Sequence, residues 1–181
     1  MKKNIFTAIL LIITVLSFSC SSASDELPGA NIEKISNPNV NLELEDITSL
    51  GFKKNKTYKV KDLPEAKSAY YGFLKIPKTK ESIDYELRFY PSQQTAIDKG
   101  VSLTEEVIGE DAVLKKSTSS WKEGIQDRRS RNNSSMSGSE ANSVRAKYLD
   151  YFINGNVIIL CSGLDLNYAT QNCSELSSKI E

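Results

Sequence analysis

Histidine is absent from this chain, cysteine occurs three times, tryptophan once, and neither sign of charge is in excess: 23 Lys+Arg stand against 23 Asp+Glu in 181 residues. Each shortage excludes something. Without imidazole there is no Ser-His-Asp or Cys-His relay, no histidine metal site and no histidine pH switch. Without surplus positive charge the chain lacks what a nucleic-acid binder uses to displace counterions from phosphates, so no nucleic acid is expected as a partner. No Cys-x-x-Cys redox pair and no glycine-rich phosphate loop occur. Glu105, Glu106, Glu110 and Asp111 cluster around Gly109. Their spacing fits no EF-hand, and they follow a helix C-terminus, where the dipole disfavours negative charge. Neither a metal nor a cofactor is expected, and no catalytic residue can be named.

Long hydrophobic runs are also scarce. The one that exists, Ile5 to Leu16, is broken only by Thr7 and Thr14 and follows Lys2 and Lys3. At about 1.5 Å per residue it falls well short of a hydrocarbon core of roughly 30 Å. A basic start, a short apolar run and small residues beyond it describe a secretory signal. The run ends in Leu16-Ser17-Phe18-Ser19-Cys20-Ser21-Ser22, which resembles the lipobox of bacterial membrane lipoproteins. Ser19 is the expected small residue, while Leu16 lies one place further from the cysteine than is usual in that family. The resemblance implies a signal peptide over 1–19, cleavage before Cys20 and diacylglycerol on its sulfur. The alternative is an ordinary secretory signal cut after Ser19 or Ala23. A lipidated Cys20 would place the protein outside the cytoplasm, with the membrane as its first partner and an envelope protein or small ligand as the second.

Residues 20–45, rich in Ser, Asp, Asn and Pro, read as a tether. A single domain is expected over 46–181, interrupted by a mobile loop at 130–143, where ten of fourteen residues are Ser, Asn or Gly. Within the domain, Ile83, Tyr85, Leu87 and Phe89 alternate with polar and charged residues, the pattern of a half-buried antiparallel strand. Tyr70 to Ile76 is its expected partner, and Thr57 to Val60 an added edge. Ser92 is a candidate N-cap for a helix whose stripe runs Ala96, Ile97, Gly100, Leu103, Thr104, Val107. Mid-helix Gly100 costs about 1 kcal/mol relative to Ala, which close packing on a sheet would explain. Lys147–Ile153 and Asn156–Cys161 flank Asn154-Gly155, the strongest two-residue hairpin signal. Asp165 or Asn167 then caps a helix with the stripe Leu166, Ala169, Cys173, Leu176, Ile180.

The order strand, strand, helix occurs twice and predicts an α+β domain of ββα-ββα type, a four-stranded antiparallel sheet with two helices on one face. With Cys20 lipidated, Cys161 and Cys173 remain as an even pair in a compartment where disulfides persist. Bridging them would put the last helix on the sheet face of Tyr148, Asp150, Phe152, Val157, Ile159 and Cys161. Asp150 would then need a partner beneath that helix. The opposite face, with Leu149, Tyr151, Ile158 and Leu160, would be either covered or left as an apolar, aromatic surface.

Nine of thirteen aromatic residues after the signal lie in the four expected strands. Core packing accounts for most of them, but Tyr71, Phe73, Tyr90 and Tyr151 are the candidates for a binding surface. The basic residues Lys115, Lys116, Lys122, Arg128, Arg129 and Arg131 around Trp121 read as ordinary surface or as a headgroup contact. Tyr70-Tyr71-Gly72-Phe73, Tyr85 to Tyr90 and Gly155 to Cys161 resemble small uncharacterised bacterial lipoproteins, a resemblance that implies no activity. The reading is a lipid-anchored binding or accessory module. Its alternatives are a histidine-independent envelope enzyme using Ser/Lys or carboxylates, and a structural envelope protein that docks a partner.

Overall fold

The computed structural model describes residues 32–75, 81–131 and 144–180. The expected signal peptide, Cys20 and most of the 130–143 loop lie outside the described residues. The elements in chain order are β1 (Ile35–Ser36), α1 (Leu44–Ser49), β2 (Lys53–Tyr58), β3 (Ser68–Lys75), β4 (Ser82–Phe89), α2 (Gln93–Thr95) running through a π-helical turn (Ala96–Gly100) into α3 (Val101–Glu105), β5 (Arg129–Arg131), β6 (Val144–Ala146), β7 (Tyr148–Asn154), β8 (Val157–Ser162) and α4 (Leu166–Ser177). The class is α+β, as the sequence predicts.

The main sheet has six strands, not four, in the order β1-β7-β8-β4-β3-β2. Both expected hairpins form, and β4 pairs with β8 to join them. The extra strands are the edges. β2 pairs with β3 through an irregular register at Lys54/Lys56, and the two residues of β1 run parallel to the end of β7. Neither edge could carry a periodic apolar signal, since β2 is exposed over all but its last residue. The segment read as tether is also fixed from residue 32. Ile153 N–H donates to Lys34 O at 2.8 Å, Leu42 N–H donates to Asn156 Oδ1 at 2.6 Å, and Leu42 is buried.

The turn of the β7–β8 hairpin lies one residue later than expected. Ile153 faces Ile158 and Asn154 faces Val157, so the two turn residues are Gly155 and Asn156. Gly155 takes φ 53°, and Asn156 is not among the positive-φ residues, the pattern of a turn with glycine first. The shift moves each cross-strand partner by two residues, which by itself changes no side chain's face. What it gains is Asn156, buried and donating from Nδ2 to Leu42 O at 3.2 Å and Tyr90 O at 3.0 Å. One side chain does change face. Tyr148 pairs with Ser162 and Asp150 with Cys161, so Leu149 is bulged out and Tyr148 swings to the face opposite Phe152 and Cys161.

The two helices lie on opposite faces, not on one. On the first face α4 packs against β7 and β8, tied by the Cys161–Cys173 disulfide, over a core of Phe152, Val157, Ile159, Leu87 and Phe89. Asp165 is its N-cap, accepting from Tyr168 N–H. Asp150, beneath α4, accepts from Thr170 Oγ1 at 2.7 Å and pairs with Lys34. On the second face the α2–α3 segment and the chain around Trp121 and Ile125 cover Tyr90, Tyr148, Ile153, Ile158 and Leu160. Ser92 caps that segment as expected. Gly100 sits where a Cβ would fall 2.5 Å from Ile158 Cδ1 and 2.6 Å from the Tyr90 hydroxyl, so only glycine lets the helix approach this closely. Both faces of the sheet are therefore covered.

Candidate functional site

The four aromatic candidates share one face but do not assemble into an exposed surface. Tyr90 is fully buried beneath Gly100, and burial pushes its hydroxyl pKa up to about 12. Tyr151 is half-buried and donates to Glu105 Oε1 at 3.2 Å. Phe73 lies beside Asp84 across β3 and β4, partly exposed. Tyr71 donates to Asp84 Oδ2 at 3.0 Å, and Lys147 Nζ reaches the same oxygen at 2.8 Å. Burial works against the Lys147 ammonium, but Asp84 and Tyr71 hold its pKa above the usual lysine value. Burial and Asp84 raise the Tyr71 hydroxyl as well. Near neutral pH Lys147 is therefore an ammonium and Tyr71 a neutral phenol, so the trio suits charge and hydrogen bonding, not attack or proton abstraction.

The charged side of β4, which the pattern assigns to solvent, is instead a buried ion triad. Glu86, Arg88 and Arg128 are all fully buried. Arg128 grips the carboxylate with two bonds, Nε to Oε2 at 2.8 Å and Nη2 to Oε1 at 3.0 Å. Arg88 Nε donates to Oε1 at 2.8 Å and its Nη1 to Thr104 Oγ1 at 3.1 Å. Arg88 Nη2 is also 2.8 Å from Oε1, but its N–H is misaligned and makes no hydrogen bond. Trp121 closes the cluster, its ring 4.3 Å from the Arg128 guanidinium carbon and 4.9 Å from that of Arg88. Trp121 and Arg128 are thus interior residues, which removes them from the basic surface patch. Burial pushes the Glu86 carboxyl up, yet the two guanidiniums more than offset this and hold its pKa below the ordinary glutamate value. With one anion between two cations and no opening, the triad organises the fold and contacts no ligand site.

The open site lies at the end of the sheet where β4 and β7 begin and β8 ends. Two hollows adjoin there. One, about 710 Å³, is lined by Ser82, Asp84, Lys147, Ser162, Gln171 and Asn172 among others. The second, about 560 Å³, is lined by Val144, Ala146, Leu149 and Leu166. Arg145 and Leu164 belong to both, which makes the two hollows one groove. Of the six large hydrophobic side chains exposed among the described residues, four border it: Val144 (40%), Leu164 (72%), Leu166 (59%) and Tyr168 (53%). The bulge that turns Tyr148 inward leaves Leu149 on the groove wall.

Arg145 donates from Nη1 to Leu164 O at 2.6 Å and pairs with no carboxylate among the described residues, while its buried Nε has no partner. Sequence reasoning missed this groove because its parts come from a strand start, a strand end and a helix start. The one visible signal was Leu166, placed on the buried stripe of α4 but lying in its first turn, where it projects beyond the sheet.

Other expected residues are accounted for locally. Cys161 and Cys173 form the disulfide. Glu106 Oε1 accepts from Ser120 N–H at 2.7 Å. Among the described residues no group of three or more acidic or cysteine side chains is disposed to hold a metal, and no helix is long and apolar enough to cross a membrane.

A family model, DUF6810, described as a family of unknown function, matches residues 43–181, and the chain belongs to that family. No curated protein and no solved structure matches it.

Proposed function

We propose that this protein is a lipid-anchored, extracytoplasmic binding module whose site is the groove around Arg145. The observation that carries the binding half is the clustering there of four of the six exposed large hydrophobics. Contiguous exposed apolar surface is uncommon on a protein with no partner, and this one surrounds a cation lacking a carboxylate. The anchoring half rests on the amino-terminal sequence, from Lys2 and Lys3 through the apolar run to Cys20. Acyl chains there, at about 0.8 kcal/mol per buried methylene, would hold the protein on a membrane without a span. An enzyme gains no support from Tyr71 and Lys147, whose raised pKa values keep both protonated near neutral pH.

The test is photocrosslinking in intact cells with a benzophenone amino acid in place of Leu164, compared with the same group in place of exposed Gln94 at the far end of the sheet. Discrete adducts from position 164 that are absent from position 94 are expected. Identical adducts from both positions, or none from 164, would overturn the assignment of the groove.

A further inference from the structure

We propose that the groove takes an extended polypeptide segment with apolar side chains flanking a carboxylate, which Arg145 receives, and that this segment arrives from the side away from the membrane. The inference rests on the proposed anchor and on the groove being the binding site. Its first support is the division of the groove. The hollow with Val144, Ala146, Leu149 and Leu166 is mainly apolar, whereas the other mixes Leu164 and Tyr168 with the hydroxyl and amide groups of Ser162, Gln171 and Asn172. An acyl chain would need apolar walls throughout. A polypeptide needs both kinds, one for its side chains and one for its backbone amides.

The second support is charge. Where the two halves meet, Arg145 has only carbonyl oxygens for partners. The nearby Asp84 is already paired with Lys147, and Asp165 is committed to capping α4. Glu81 borders only the first hollow and Glu110 only the second, so on the wall the two share the charged side chain is the Arg145 guanidinium, which suits a planar carboxylate.

The third support is where the chain enters. Ile32 lies beside Asn154 and the last turn of α4, at Ser174 and Ser177. The groove lies at the other end of the same elements, beside Lys147, Ser162 and Leu166. The seven residues of β7 separate the two poles by about 20 Å. Twelve residue steps join Cys20 to Ile32, a reach of at most about 40 Å. The chain thus enters at one pole and the groove lies at the other, the placement that favours polypeptide on the far side over headgroups.

The test is fluorescence anisotropy with the detergent-solubilised full chain and end-capped hexapeptides, in which a labelled Leu/Phe/Val sequence carries a central Asp, Asn or Lys. The Asp peptides are expected to bind about tenfold or more tighter than the Asn peptides, the factor one charge-assisted hydrogen bond supplies. Arg145→Gln is expected to erase that preference, and Arg145→Lys to restore part of it. Because Arg145→Gln also loses the bond to Leu164 O, Leu164→Asp serves as a second variant. Leu164 is largely exposed, so the fold should be unaffected, and the new charge should weaken the Asp peptides most. Absence of saturable binding by any peptide would overturn the proposal. So would Arg145-dependent binding of phosphatidylglycerol vesicles that no peptide displaces, which would assign the groove to lipid. Equal binding of Asp and Asn peptides, lost in Leu164→Asp, would remove the carboxylate while leaving the groove as the binding site.

Discussion

Glu86→Gln is expected to cost about 3–5 kcal/mol, because it leaves two buried guanidiniums facing each other with no anion between them. At about 2–4 °C per kcal/mol for a chain of this size, the midpoint of thermal unfolding should fall by about 6–20 °C. Neutral Gln keeps the shape of Glu, so a large loss would be due to charge. The companion variant replaces all three residues, Glu86→Leu with Arg88→Met and Arg128→Met, and should recover most of the stability. Buried ion clusters are often no more stabilising than apolar residues of the same volume. A single variant within about 1 kcal/mol of wild type would mean that the triad is not sealed from water.

The same triad fixes the sign of an acid dependence. The folded pKa of Glu86 lies below its unfolded value because Arg128 and Arg88 outweigh the cost of burial. A group depressed in this way contributes stability that is complete above the unfolded value, about 4.3, and is lost as pH falls through the folded one. Stability of the wild type should therefore fall below about pH 4, and this limb should flatten in Glu86→Gln.

Replacing Cys161 and Cys173 together by Ala is expected to cost about 3 kcal/mol, the chain-entropy value for closing a loop this short. The sequence separation is 12 and both residues are fully buried. With a urea slope of roughly 1–3 kcal/mol/M the midpoint should fall by about 1–3 M. The effect should extend to the groove, since the bridge holds α4 against β8, and Leu164, Leu166 and Tyr168 come from the segment that opens α4. Hydrogen exchange at residues 163–170 should accelerate more than at residues 83–89. Uniform acceleration would mean that the bridge stabilises the domain without positioning the groove.

Much of this architecture is legible in the sequence, and the reasons separate cleanly. The alternation of Ile83, Tyr85, Leu87 and Phe89, the Asn154-Gly155 signal and the caps at Ser92 and Asp165 each have a local cause, and each marks a real element. Even the displaced hairpin turn preserved the faces, because the displacement changed partners by an even number of residues. What is illegible depends on distant chain. Glu86 and Arg88 look like a solvated strand face until Arg128 and Trp121, some 40 residues later in sequence, close over them. The bulge at Leu149 has no sequence mark, yet it sends Tyr148 inward. β1 is recognisable only by what it pairs with. The groove is hidden for the same reason. Val144, Arg145, Leu164 and Leu166 belong to no shared motif, and they meet only because two strand ends and a helix start lie side by side.

The direction in which the groove opens has meaning only if the chain is fixed to a membrane at Cys20. Cys20→Ala, followed by metabolic labelling with a radioactive fatty acid and by membrane fractionation, tests this most directly. The account predicts that wild type is labelled and sediments with membrane, while the variant is unlabelled and moves to the soluble extracytoplasmic fraction. A variant that still sediments with membrane as wild type does would contradict it.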